Sequence, residues 1–298
     1  MIIRSLTRRP GALQTLAQHV SARARTAAPY ARRLHGVPSL LNHDELVNNG
    51  IPGLFSKKQF DIAYTQYQGH IVESLNIATA GSAYENRDPK SLIVDIARDP
   101  LMAYPWNLAS MAFNNHFFFR GLNTNPNIAS APSADLVPLI NRSFHSLETL
   151  QETMMLTADA MFGPGFVWLV QTPDAKDQPL KLLTTYIAGS PLSGAHNRKQ
   201  PADMNTQNTE SYAGSFGAAA RQKENRPKKA LGGVDVVPLL CVNTWEHVWL
   251  HDYGVAGKMS FLEKWWAKID WAQVQQNVLF EKPQTQSAGG GFRQFYSS

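Results

Sequence analysis

The 298-residue chain carries a single cysteine, Cys241. No intrachain disulfide can form, and in its apolar surroundings the thiol is expected to act as a small buried hydrophobe. Long apolar runs are missing too: none approaches the roughly 20 residues that a membrane-crossing helix needs, so no membrane contact is expected. Acidic residues are absent before Asp44, and lysine is absent from residues 1–40. Between Ser193 and Gly233 large apolar side chains almost vanish, which excludes a self-sufficient packed unit there.

Residues 1–40 do hold seven arginines (Arg4, Arg8, Arg9, Arg23, Arg25, Arg32 and Arg33) among Ser, Thr and Ala. An arginine-rich, acid-poor start has the composition of a mitochondrial transit peptide, expected over residues 1–34 with cleavage near Arg33 to His35. A basic arm that stays on the mature protein and binds nucleic acid is the alternative. Setting those seven aside leaves 21 of the 28 basic residues against 23 acidic ones, a balance of −2. The body is therefore not broadly polyanion-seeking, and any RNA contact is expected to be local.

With 43% hydrophobic and 10% aromatic residues, the chain can bury a core that needs no metal to hold it. Phe60, Tyr64, Tyr67, Ile71 and Leu75 recur at spacings of three and four and predict a long helix over residues 55–80. Helical segments are expected at 91–100 and 105–122, separated by Pro105, then a polar loop from Asn123 to Pro132 and two helices within 134–160. From Phe162 the pattern changes to strands: Phe162 to Val170, then Lys181 to Thr185, then Val236 to Val242, with one side of the first strand expected to face a helical layer. Trp245, Trp249, Trp265, Trp266 and Trp271 read as core or interface packing in preference to a base-stacking platform.

The run Asn243-Thr244-Trp245-Glu246-His247 resembles the D-x-W-E-H metal motif of the iron/manganese superoxide dismutases. Phe162-Gly163-Pro164-Gly165-Phe166-Val167-Trp168-Leu169-Val170 resembles that family's G-S-G-W-x-W-L-V strand, and the order of landmarks matches along most of residues 35–280. The resemblance implies an α+β fold: a helical hairpin over 35–125, then an α/β part with a small antiparallel sheet over 126–282. A flexible insertion at 193–233 and a polar tail at 283–298 complete the expected organisation.

By the same resemblance, the four metal-ligand positions fall on Ala63, Asn115, Asn243 and His247. Only the last keeps its family residue. His116 stands one residue late, a rotation of about 100° away from the site unless a local register shift restores it. The active-site tyrosine position is Ile71, and the glutamine position beside metal-bound solvent is Ala188. One imidazole, two neutral amides and a methyl group cannot hold and charge-balance a redox-cycling ion, so no cofactor and no catalysis are expected.

In the dismutases the glutamate of this motif reaches across a two-fold interface to the histidine of the other subunit. Tyr67, Glu246 and His247 are therefore expected at a partner interface; the alternative is that Glu246 satisfies a buried His247 within the chain. The leader, the Asn49-Gly50-Ile51-Pro52-Gly53-Leu54-Phe55-Ser56 run and the polar insertion resemble fungal mitochondrial small-subunit ribosomal proteins of the dismutase fold. That resemblance implies a structural role in mitochondrial translation, in the matrix, among other small-subunit proteins and beside a paralogous dismutase-fold subunit. Arg221, Lys223, Arg226, Lys228 and Lys229 are the candidates for a local rRNA contact, and a solvated spacer is the equal alternative. The competing enzyme reading is a divergent mitochondrial Mn/Fe superoxide dismutase binding metal through His116 and His247.

Overall fold

A computed structural model describes residues 35–97, 99–125, 130–172, 179–192, 195 and 236–279. The expected transit peptide, the five basic residues from Arg221 to Lys229, nearly all of the insertion and the polar tail lie outside the described residues.

Helix α1 spans His43–Asn49 and α2 Lys57–Phe60, the latter capped by Ser56, whose hydroxyl accepts from Gln59 N. The chain continues without a break through a π-helical segment, Asp61–Gln66, into α3, Tyr67–Thr79. The periodic stripe predicts one regular helix here, and the wide turn is a departure from it. A polar side chain reaching into the backbone ladder is one cause of such widening, and Asn115 Nδ2 donates to the Ala63 carbonyl at 3.2 Å.

The helix expected at 91–100 is shorter and earlier. Asp88 caps α4, Pro89–Asp95, with a proline in its first turn, and a separate 3-10 turn, Pro100–Met102, follows. Helix α5, Ala103–Arg120, takes Pro105 in its first turn, where a missing N–H costs nothing, so the proline starts a helix instead of dividing two. Helices α6, Leu136–Phe144, and α7, Leu147–Ala160, complete the run, with Ser146 capping the second.

Three strands among the described residues, β1 Gly165–Gln171, β2 Leu180–Tyr186 and β3 Val237–Asn243, form an antiparallel sheet in the order β2-β1-β3. All seven residues of β1 are buried, so helices cover both of its faces, more than the expected single helical layer. Pro238 lies on β3, an edge strand among the described residues, opposite Val170 beside a register shift, the kind of place that tolerates proline. Helices α8, Glu246–Tyr253, α9, Lys258–Trp266, and α10, Trp271–Asn277, close the fold.

One core runs through helices and sheet. Phe55, Phe60, Tyr64, Phe119 and Phe261 meet in offset and edge contacts with ring centroids 4.9 to 6.0 Å apart. Trp249, Trp265 and Trp271 are buried in it, while Trp245 and Trp266 are partly buried at its margin. No Asp, Glu, Lys or Arg among the described residues is buried. Cys241 is buried in β3, its thiol pushed well up by loss of solvent.

Candidate functional site

Four elements converge where the ligand positions were expected: the π-helical segment with Ala63, α5 with Asn115, the end of β3 with Asn243 and the first turn of α8 with His247. Ala63, Asn115 and Asn243 are fully buried. Asn115 is oriented by three contacts. Its Nδ2 donates to the Ala63 carbonyl at 3.2 Å and to Gln68 Oε1 at 3.0 Å, and its Oδ1 accepts from Asn243 Nδ2 at 3.2 Å. Gln68 in turn donates to the Ala112 carbonyl at 2.9 Å, and Asn243 Oδ1 accepts from Trp245 N at 3.0 Å.

This set of partners explains the asparagine at position 243. With its amino group committed to Ala63 and Gln68, Asn115 presents a carbonyl oxygen to β3, and that oxygen needs a donor. An aspartate could still cap Trp245 N, yet it would set a carboxylate against the Asn115 oxygen. Asparagine supplies both the acceptor for Trp245 and the donor for Asn115.

His247 is held by its backbone and its ring face. Gln59, also fully buried, donates from Nε2 to the His247 carbonyl at 2.7 Å and accepts from Asp252 N at 3.3 Å. The Tyr67 ring stacks on the imidazole with centroids 3.9 Å apart and planes 25° from parallel. Burial lowers the His247 pKa to about 4 and pushes the Tyr67 phenol up to about 12. His247 Nε2 is buried without a hydrogen-bond partner. Glu246, one residue away, is exposed and leaves that nitrogen unsatisfied, so the intrachain pairing considered as the alternative is not formed.

His116 belongs to another cluster. Its Nδ1 lies 2.9 Å from the Tyr64 hydroxyl, which donates to the Pro38 carbonyl at 2.7 Å, and burial, aided by the Arg120 charge, lowers its pKa to about 4. Ile71 is part of the core, and the Ala188 carbonyl accepts from Ser110 Oγ at 2.6 Å.

The donor set does not fit a manganese or iron ion. Ala63 offers no ligand atom, both asparagine amides are committed to protein partners, and one imidazole nitrogen remains. Among the described residues no group of three or more His, Cys, Asp or Glu side chains could hold a metal. What the arrangement does chemically is to replace ion–ligand bonds with neutral hydrogen bonds.

Gln59 and Gln68 escaped the sequence reading. Gln68 falls on the buried stripe Tyr64, Gln68, Ile71, Leu75, and a polar residue in such a stripe is the signal that would have found it.

The profile for iron/manganese superoxide dismutases, C-terminal domain, matches residues 132–201 and 214–277. The chain is 33% identical over 195 residues to the small ribosomal subunit protein mS42 of Schizosaccharomyces pombe, covering 63% of this chain and 72% of that one. It is 28% identical over 255 residues to mS43 of the same organism, covering 84% and 86%. An iron superoxide dismutase of Salmonella typhimurium is 25% identical over 223 residues, covering 75% and 89%.

Proposed function

The chain belongs to the family of the small ribosomal subunit proteins mS42 and mS43, on the iron/manganese superoxide dismutase fold, and from that premise we propose a structural, non-catalytic role in the mitochondrial small ribosomal subunit. The observation that carries the reading is the Gln68–Asn115–Asn243 network, which occupies the ligand positions with groups that have already spent their donors and acceptors. The protein keeps the scaffold and binds its neighbours through folded surfaces. Residues 1–34 serve as its transit peptide into the matrix.

The proposed partners are other small-subunit proteins, among them a paralogous dismutase-fold chain seated on the face that carries Tyr67, Glu246 and His247. Two features support this surface. His247 Nε2 lacks a partner among the described residues, and Glu246 beside it is exposed. Beside them Ile187 holds a left-handed φ of 52°, with its carbonyl accepting from Trp245 Nε1 at 3.3 Å, and exposes an apolar β-branched side chain. Local rRNA contact is assigned to Arg221, Lys223, Arg226, Lys228 and Lys229.

The test is sedimentation of mitochondrial ribosomes in moderate salt with magnesium present, followed by elemental analysis and a superoxide assay on the purified chain. Co-sedimentation with the small subunit, without stoichiometric manganese or iron and without turnover, is the expected result. A metal-loaded chain that consumes superoxide and stays off the ribosome would overturn the reading.

A further inference from the structure

Away from the degenerate ligand positions, a cavity of about 740 Å³ lies between the end of α5, the start of α10 and the chain entering α1. Its walls are tied together by the fold itself. Asn123 N donates to the Lys268 carbonyl at 2.7 Å, Asp270 N to the Gly121 carbonyl at 2.9 Å, and Trp271 N to Ser130 Oγ at 2.7 Å. Phe119, Leu122 and Trp271, all buried, supply an apolar floor.

The polar lining is mostly neutral. Gln273 Nε2 donates to Gln276 Oε1 at 3.3 Å, which leaves the pair one amide oxygen to accept and one amide nitrogen to donate, one turn apart on α10. Gln275 is half-buried, and its Oε1 has no hydrogen-bond partner among the described residues. Two charges border the space. Arg120 is exposed and in no salt bridge among the described residues, with Nη2 donating to Asn277 Oδ1 at 3.3 Å. Asp270 turns Oδ1 to the Ala272 and Gln273 amides at 3.0 and 3.2 Å.

We propose that this cavity binds an adenine nucleoside monophosphate, with the base on the Gln273–Gln276 pair and the phosphate on Arg120. Adenine presents a donor, its 6-amino group, beside an acceptor, N7, the complement of the glutamine pair. Guanine offers two acceptors on that edge and sets one of them against the glutamine oxygen. A purely apolar ligand would leave the amide pair and Gln275 unsatisfied. A single guanidinium, with no lysine in the lining, suits one phosphate group and not a chain of three. Asp270 Oδ2 remains to accept a ribose hydroxyl. The same chemistry is offered by free AMP and by an unstacked adenosine of single-stranded RNA. Binding of free AMP is independent of the ribosomal role, whereas an RNA source extends it.

Equilibrium dialysis of the purified full chain against AMP and GMP, with single-stranded oligo(A) and oligo(U) as competitors, tests this. AMP should bind saturably, and GMP about tenfold more weakly. Arg120→Gln should weaken AMP about tenfold while leaving adenosine binding unchanged. The helix-compatible pair Gln273→Leu and Gln276→Leu should abolish the preference for AMP over GMP. Oligo(A) that displaces AMP where oligo(U) does not assigns the site to RNA; AMP binding that neither oligonucleotide displaces assigns it to the free nucleotide. Absence of saturable AMP binding, equal affinity for AMP and GMP, or AMP binding untouched by both variants would overturn the proposal.

Discussion

Replacing Asn115 by alanine removes the centre of the buried network and tests whether amides hold the site. The substitution leaves Asn243 Nδ2 and Gln68 Oε1 buried without their partner and takes a donor from the Ala63 carbonyl. Each stranded buried polar group costs about 1 to 3 kcal/mol, so a loss of about 4 kcal/mol is expected for the set. For a body of this size that is a fall in Tm of about 10 °C. Asn243→Ala strands the Asn115 oxygen and Trp245 N and should cost about 3 kcal/mol. Because both variants break the same Asn115–Asn243 bond, the double variant should fall short of the summed losses by at least about 1 kcal/mol.

Urea unfolding followed by fluorescence supplies the stabilities, and an unchanged slope confirms that only stability has moved. The decisive control is metal. An ion bound at a hundred times its Kd would add about 2.7 kcal/mol to the native state, so a chelator would reveal it in the wild-type midpoint. No such shift is expected. An Asn115→Ala midpoint indistinguishable from wild type, or a wild-type midpoint that drops on chelation, would refute the reasoning.

Other consequences are open to the same measurements. Burial lowers His116 and His247 to about 4, below their unfolded value, so their stabilising contribution is present above about pH 6.5 and is lost as pH falls towards 4; urea midpoints should report a loss of roughly 3 kcal/mol from pH 7 to 5, discounted for partial exposure, and His116→Phe should flatten about half of that slope. Asp252 accepts from Ser56 N at 2.6 Å and from Ser56 Oγ at 2.7 Å, tying α8 to the start of α2, and thermal scans of Asp252→Ala should show a loss of about 1 kcal/mol. Gly165→Ala would drive a methyl group into the Thr185 carbonyl oxygen and the Met161 methyl, so the soluble yield should fall and the Tm drop by an amount equivalent to about 2 kcal/mol or more.

The sequence carried the elements well where apolar spacing and capping residues agree, as in the first long helix and the three strands. It misjudged positions where tertiary contact overrides local pattern. The π-helical turn at Asp61–Gln66 is invisible to a 3.6-residue stripe, since Phe60, Tyr64 and Leu75 remain buried either way. Burial of both faces of β1 depends on tertiary packing, by the helix just before it and by Phe117 of α5 against Trp168, that a strand pattern does not encode. At the site, the resemblance assigned ligand positions to Ala63, Asn115, Asn243 and His247, but residue identities alone describe what a metal would lack. That the vacant roles are filled by hydrogen bonds depends on Gln59 and Gln68, whose amides read as ordinary polar residues until their burial is known.

Those two glutamines show how the elements around these positions are joined without an ion. A metal centre of this type would tie the first long helix, α5, β3 and α8 to one another. Here Asn115 ties α5 to the first helix through Ala63 and Gln68, Asn243 ties β3 to α5, and Gln59 ties α8 to the first helix through the His247 carbonyl and Asp252 N. The same four elements are joined with no formal charge in the Gln68–Asn115–Asn243 set, so burial needs no counter-ion. An apolar filling would also avoid charge, yet it would leave Trp245 N at the start of α8 without the Asn243 oxygen. Neutral amides are the side chains that can occupy the positions and satisfy the backbone around them.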